Sequence, residues 1–111
     1  MNVENLKIYD DINLAIIGMN RESEILYFNS AFLTLFKLSP RNLNKGPKLG
    51  ELLPSVVSNW NGMFGSLSTI SGVNLGEEKT IVHNDIQLTL IPKVFIIDDL
   101  IILSFNDMSV E

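Results

Sequence analysis

The sequence predicts an α+β fold built on an antiparallel sheet. Two short runs of β-forming residues open the chain, a stretch of helical periodicity follows, and three further β-rich runs close it. With 111 residues, of which 46% are hydrophobic, the chain is long enough to bury one core and too short for two. We therefore expect a single domain whose elements follow the order strands, helices, strands.

The opening runs predict a hairpin that leads directly into a helix. Residues 14–19 and 25–28 are rich in β-formers and flank a polar turn at residues 20–23. Asn29 comes next, and asparagine is a strong helix N-cap because its side-chain oxygen accepts an unpaired backbone N–H. Residues 30–37 then place their large apolar side chains on one broad face, as a helix packed on a core requires.

The middle of the chain predicts helices of unequal length. Ser39-Pro40 indicates a brief helical turn, and residues 49–53 indicate another. Over residues 55–71 apolar side chains recur at spacings of three and four, which predicts one amphipathic helix. Gly62 and Gly65 weaken that helix by about 1 kcal/mol each relative to alanine. The recurring positions are Val56, Val57, Trp60, Met63, Phe64, Leu67 and Ile70.

The last third of the chain predicts a three-stranded meander. The strands are expected over residues 80–82, 86–97 and 100–105. Residues 74–76 are expected to form a loop before them, and turns are expected at residues 83–85 and 98–99. Pro92 has no N–H to donate to a neighbouring strand, so it predicts a bulge or an unpaired position.

Charge and composition exclude several kinds of partner. The net charge is −5, and residues 51–111 carry two basic and eight acidic side chains against six and five in residues 1–50. Nucleic acids and anionic membranes are bound through clustered lysine and arginine, so neither is an expected partner.

The sequence also favours a cytoplasmic location without membrane insertion. The first residues lack the basic and apolar regions of a signal peptide. The most apolar stretch, residues 86–105, is interrupted by charged residues and a proline, which opposes a membrane span. The absence of cysteine fits a reducing compartment.

Three segments near the start and one at the end resemble the PAS domain family. Residues 14–20, 25–32 and 49–54 look like the opening half of such a domain. Residues 100–109 resemble its last strand, with Asp107-Met108-Ser109 in place of an Asp-Ile-Thr-like signature. The resemblance implies a five-stranded antiparallel sheet in the order 2-1-5-4-3, with helices packed on one face. The first turn departs from the family pattern, because it carries Glu22-Ser23 where glycine is usual.

The resemblance further implies a regulatory module rather than an enzyme. Such a module senses or dimerises, and it passes a packing change to a C-terminal effector in the same polypeptide, such as a histidine kinase or a cyclic-dinucleotide enzyme. Residues 1–11 are expected to form an N-terminal cap or linker that could pair in a homodimer. Residues 107–111 are expected to form the exit, where Asp107 and Ser109 either tie the strand end to the linker or simply cap it.

Two alternative functions remain open, a small-molecule or cofactor sensor with an apolar cavity and a free-standing PAS accessory protein. Haem is disfavoured because the predicted helix over residues 55–71 contains no histidine, and a cysteinyl-flavin adduct needs a cysteine that the chain lacks. An unknown small apolar ligand is the preferred candidate, and a non-covalently bound flavin beside Trp60, Asn61 and Phe64 stays open. The side chains that could line its cavity are Asn29, Phe36, Trp60 and Phe64, although each also fits a purely structural role.

No catalytic or metal site is predicted. His83 is the only histidine, and its turn-like surroundings predict a solvated residue. The acidic pairs lie next to each other in strands or turns, where they do not converge on one substrate and are expected to be solvated. These pairs are Asp10-Asp11, Glu77-Glu78 and Asp98-Asp99.

Overall fold

The computed structural model describes residues 14–108, so the predicted cap over residues 1–11 and Ser109 lie outside the described part. The sheet is fully antiparallel and has the order β2-β1-β6-β5-β3, with β4 also pairing with β5. The strands are β1 Ala15–Met19, β2 Ile25–Phe28, β3 Val73–Leu75, β4 Lys79–His83, β5 Ile86–Ile97 and β6 Leu100–Asp107. The predicted α+β class and the predicted sheet are confirmed.

The strand predicted over residues 80–82 is β4, and an additional short strand, β3, precedes it on the same edge of β5. Leu75 pairs with Lys93 and Lys79 pairs with Leu90, so three residues of the edge strand stand opposite two residues of β5. The extra residue makes a bulge, and Pro92 lies at this point without an N–H to donate. The bulge predicted at Pro92 is confirmed, whereas the loop predicted for residues 74–76 is wrong at its first two positions, which belong to β3.

The helical layer covers one face of the sheet. It contains α1 Ser30–Phe36, α2 Leu49–Leu52, α3 Pro54–Asn59 and α4 Asn61–Phe64, with short 3₁₀ turns at Pro40–Leu43 and Leu67–Thr69. The single helix predicted over residues 55–71 is wrong. The backbone of Trp60 leaves the helical region, with φ −121° and ψ 44°, and the two following glycines give the helix little propensity to continue.

The main core lies between this layer and the inner face of the sheet. Along β6 the side chains of Ile101, Leu103 and Phe105 point into it, as the two-residue period of a strand requires. Its fully buried large members are Ile17, Met19, Phe32, Phe36, Leu49, Leu53, Leu90, Ile101, Leu103 and Phe105. Within residues 14–108, no helix has both the length and the apolar character needed to cross a membrane.

A second apolar cluster lies on the opposite face of the sheet. We call it the outer cluster: Ile16, Tyr27 and Ile102 are buried, and Leu14, Phe95, Ile97 and Leu100 pack against them while partly exposed. Ile102 is only 1% exposed although it faces away from the helices. Both faces of the central strands are therefore apolar.

Candidate functional site

Asn29 joins the first strand to the first helix. Its Oδ1 accepts hydrogen bonds from the N–H groups of Phe32 and Ile16, both at 3.0 Å, and its Nδ2 donates to the carbonyl of Leu14 at 2.7 Å. The predicted N-cap is confirmed, and the same buried amide also satisfies the start of β1. Asn29 thus acts as a junction in the fold, and it lies inside the domain and away from the two pockets described below.

Phe36 lies in an aromatic group at the C-terminal end of α1. Its ring centroid is 5.3 Å from that of Phe32 and 5.2 Å from that of Phe105. The His83 ring meets it edge to face at 5.4 Å. These distances fall within the range that aromatic pairs prefer. Phe36 is therefore enclosed by side chains of the core.

The expectation that His83 is solvated is wrong. β4 continues to this residue, and the strand period places His83 on the inner face together with Ile81, so its side chain is only 5% exposed. Burial lowers the pKa of the imidazole from its ordinary value of 6.5, because a charged ring loses its hydration there. Nε2 lies 3.3 Å from the side-chain nitrogen of Asn84.

Trp60 connects the break in the helical layer with the interruption of the edge strand. Its indole N–H donates to the carbonyl of Glu77 at 2.8 Å, and the ammonium of Lys79 donates to the carbonyl of Asn59. A pocket of about 250 Å³ lies between these segments. This Trp60 pocket is lined by Asn59, Trp60, Asn61, Gly62, Met63, Leu75, Gly76, Glu77 and Lys79.

A second pocket, of about 310 Å³, lies between the β1–β2 turn, α2 and the end of the helical layer. We call it the Phe64 pocket. Its floor is apolar, and its charged residues are exposed at the mouth. The lining residues are Glu22, Ser23, Lys48, Leu49, Gly50, Glu51, Val57, Phe64 and Leu67. The structure therefore separates Trp60 and Phe64 into two pockets.

The last residues of the described chain lie beside its first ones. Asp107 is the exposed last residue of β6, opposite Leu90 of β5, and the next N–H donates to the carbonyl of Thr89 at 2.7 Å. Ala15 of β1 pairs with Phe105 of β6. The two ends of the described chain therefore lie at the same end of two neighbouring central strands.

The acidic pairs within the described residues carry no site. Glu77-Glu78 and Asp98-Asp99 are exposed, as expected, and Asp10-Asp11 lies outside the described residues. Among residues 14–108, no three His, Asp or Glu side chains come together as a metal site would need.

The pattern of the sequence did not reveal the Phe64 pocket. Its three walls come from a turn, a four-residue helix and the end of the helical layer, and no periodicity relates these segments. The one available signal was the turn itself, where Glu22-Ser23 replaces the glycine that the PAS family favours.

The fold is similar to that of several solved structures. The chain matches a domain of a sensory box histidine kinase/response regulator from Geobacter sulfurreducens at TM-score 0.69 and 22% identity, over 94% of this chain and 90% of that one. It matches the PAS domain of Bordetella pertussis BvgS at TM-score 0.74 and 17% identity, over 97% and 87%. The PAS domain of the Cronobacter turicensis quorum-sensing receptor RpfR, solved in complex with BDSF, matches at TM-score 0.64 and 17% identity, over 87% and 95%.

No family model matches the chain, and no curated protein matches it by sequence. The structural likeness nevertheless covers nearly the whole chain. The chain has the PAS fold.

Proposed function

We propose that the chain is the regulatory PAS module of a signalling protein, that it dimerises through the outer face of its sheet, and that it passes a packing change to a C-terminal effector. The observation that carries this proposal is the apolar character of the sheet face opposite the helices. A sheet covered by helices on one side ordinarily shows polar side chains on the other.

The outer cluster extends into exposed surface on one side. Val73 and Leu75 of β3 are 67% and 70% exposed, and they pair with Phe95 and Lys93 of β5. Val73 thus lies beside Phe95 of the outer cluster, while the ammonium of Lys93 lies 5.9 Å from the centre of the Phe95 ring. Exposed apolar side chains grouped in this way on a small domain mark interaction surfaces. A twofold dimer would bury the same patch on both copies.

The position of this face explains how a dimer could transmit a signal. The outer cluster includes Ile16 of β1 and Ile102 of β6, and the described chain begins and ends next to these two paired strands. A change in packing on either face of these strands would shift the backbone that leads into residues 107–111. The effector would then respond to a shift between two arrangements of the dimer.

The effector in this proposal belongs to the same polypeptide, in the cytoplasm, and is a histidine kinase or a cyclic-dinucleotide enzyme. Similar solved domains come from sensor histidine kinases and from a quorum-sensing receptor. The module itself supplies no catalytic group in this scheme.

The oligomeric state tests the proposal directly. Val73→Asp places a charge in the patch beside Phe95, whereas Val82→Asp places the same charge on an equally exposed edge position beside Gln87. Analytical ultracentrifugation of the whole chain should show a dimer for the wild type and for Val82→Asp. We expect Val73→Asp to weaken the dimer by about tenfold or more, which corresponds to ~1.4 kcal/mol.

A monomeric wild type at every accessible concentration would refute dimerisation through this face. So would equal dimerisation of the two variants, because residue type, substitution and exposure are matched, whereas Val73 lies beside Phe95 and Val82 lies beside Gln87 at the other end of β5. Circular dichroism of both variants checks that each retains the fold.

A further inference from the structure

We propose that the Phe64 pocket is a preformed binding site for a small apolar molecule that carries one positive charge. This inference goes beyond the regulatory role proposed above, and the pocket exists whether or not the chain dimerises. Its floor belongs to the main core, where Leu49, Phe64 and Leu67 are buried, and its mouth is formed by exposed residues of the β1–β2 turn and α2.

The floor of the pocket suits an apolar body. Leu49, Phe64 and Leu67 are buried and contribute their side chains to it, and Val57 is partly buried. A volume of about 310 Å³ lies at the lower end of the range of small-molecule sites. A single aromatic ring with a short chain is therefore the appropriate size of ligand.

The walls are fixed by backbone contacts that need no ligand. The N–H of Leu49 donates to the carbonyl of Ser23 at 2.9 Å, and the N–H of Ile25 donates to the carbonyl of Pro47 at 3.0 Å. These bonds join the turn to the start of α2. A site held in this way requires little ordering when a ligand binds.

A third contact closes the other side of the pocket. The guanidinium of Arg21 donates to the carbonyl of Ile70 at 3.0 Å, across 49 residues of sequence. The turn is also braced internally, because the side-chain oxygen of Asn20 accepts from the N–H groups of Glu22 and Glu24. The turn, α2 and the end of the helical layer thus form one connected frame.

The mouth of the pocket selects for positive charge. Glu22 and Glu51 carry carboxylates there, and Lys48 carries the opposing ammonium. The net charge of these three side chains is negative, as is the net charge of the whole chain, −5. Exposed charges contribute modestly to affinity. The apolar floor should therefore provide most of the binding free energy, and the charge of the ligand should change it by a smaller amount.

A pair of probes with the same ring and opposite charges tests both parts of the proposal. We would titrate the whole chain with 2-phenylethylamine and with 3-phenylpropionate and follow ¹H–¹⁵N spectra. The amine should bind more tightly, and its shifts should cluster at residues 22–23, 48–51 and 64–67. Absence of amine binding, a cluster of shifts elsewhere, or tighter binding of the carboxylate would overturn the proposal.

Two glycines supply a matched pair of variants. A Cβ built on Gly50 or on Gly62 meets nothing within 4 Å, so neither backbone position excludes a side chain. Gly50 lines the Phe64 pocket, whereas Gly62 lines the Trp60 pocket. Gly50→Leu should weaken binding of the amine by about tenfold or more, because its side chain takes the space that the ring needs. Gly62→Leu should leave that binding unchanged, and equal binding by the two variants would overturn the proposal.

A charge variant gives a second, milder measurement. Glu22→Gln lies in an exposed turn, so the fold should tolerate it, and it should weaken binding of the amine by about two- to fivefold. The same change should leave or improve binding of 3-phenylpropionate. Equal losses for both probes would contradict the assigned charge.

Discussion

The side chain of Asn29 connects two elements of the fold through hydrogen bonds. A buried asparagine is expensive unless its amide is paired, and here it is bonded to β1 on one side and to α1 on the other. Its position directly after β2 lets the chain turn from strand to helix without a loop. The start of β1, from which the chain continues toward residues 1–13, is fixed by the same group.

Replacement of Asn29 by alanine should destabilise the domain by about 2 kcal/mol. The N–H groups of Ile16 and Phe32 would lose a side-chain acceptor inside the protein, and the helix would lose its cap. Urea unfolding followed by fluorescence of Trp60 measures the change. Asn44→Ala is the control, since this exposed asparagine has a helical backbone and should cost less than about 0.5 kcal/mol. Equal losses for both variants would contradict the proposed junction.

His83 should make the stability of the domain depend on pH. Burial lowers the pKa of its imidazole below 6.5 in the folded state, so the unfolded chain binds the proton more readily. The contribution of neutral His83 to the free energy of unfolding is fully present above about pH 6.5. It is lost as the pH falls through the lower pKa of the folded state, at up to about 1.36 kcal/mol per pH unit.

The variant His83→Phe keeps a ring beside Phe36 and removes this titration. The free energy of unfolding of the wild type minus that of the variant should decline from pH 7.5 to pH 5.5 in urea titrations. If this difference instead stays constant with pH, His83 is protonated as easily in the folded chain as in the unfolded one.

At the level of elements, the interruption of the edge strand depends on a glycine. A Cβ on Gly76 would lie 2.6 Å from Cγ of Pro92 and 3.1 Å from Cδ1 of Trp60, and neither ring can easily move. The N–H of Gly76 donates to the carbonyl of Pro92 at 2.8 Å. The break at Trp60 in the helical layer and the bulge between β3 and β4 therefore fit each other only with glycine at this position.

Gly76→Ala should cost about 1–3 kcal/mol of stability, because the added methyl group overlaps packed atoms. Gly62→Ala should instead stabilise the domain by about 0.5 kcal/mol, since this glycine of α4 has open space around it and alanine favours helix. Thermal and urea unfolding of the two variants should show shifts of opposite sign. A stabilising Gly76→Ala would mean that the bulge can open without cost.

The elements that the sequence predicted well are those with strong local signals. The hairpin, α1 with its Asn29 cap, and the boundaries of β5 all follow from period and propensity. β3 escaped prediction because three residues carry no period, and its pairing with β5 is a contact distant in sequence. The break at Trp60 also coincides with such a contact, the bond from its indole N–H to the carbonyl of Glu77.

The candidate sites were less predictable than the fold, for the same reason. Asn29, Phe36, Trp60 and Phe64, the predicted cavity-lining residues, are all buried, yet which of them borders open space depends on how separate segments meet. His83 is buried because β4 continues to this residue, whereas the turn-like composition predicted that the strand ends at Val82. A pocket is made by the gaps between elements, and the local sequence does not encode those gaps.

For the whole molecule, the two apolar faces of the central strands have a consequence for cooperativity. β1 and β6 bury side chains on the inner face, such as Ile17 and Leu103, and on the outer face, such as Ile16 and Ile102. The helical layer that carries both pockets consists of short segments, which are marginal as helices without tertiary packing. We therefore expect a rigid sheet with a more easily opened helical layer, which the proposed regulatory role would use.

Native-state hydrogen exchange should reveal this division. We expect amides of β1 and β6 to exchange only through global unfolding, so that their exchange free energy equals the free energy of unfolding and falls with urea at the full slope. Amides of α2, α3 and α4 should exchange through smaller openings, with lower free energies and weak dependence on urea. If the helical layer instead followed the same urea dependence as β6, the domain would open as one unit, and a ligand in the Phe64 pocket would have no separately movable layer on which to act.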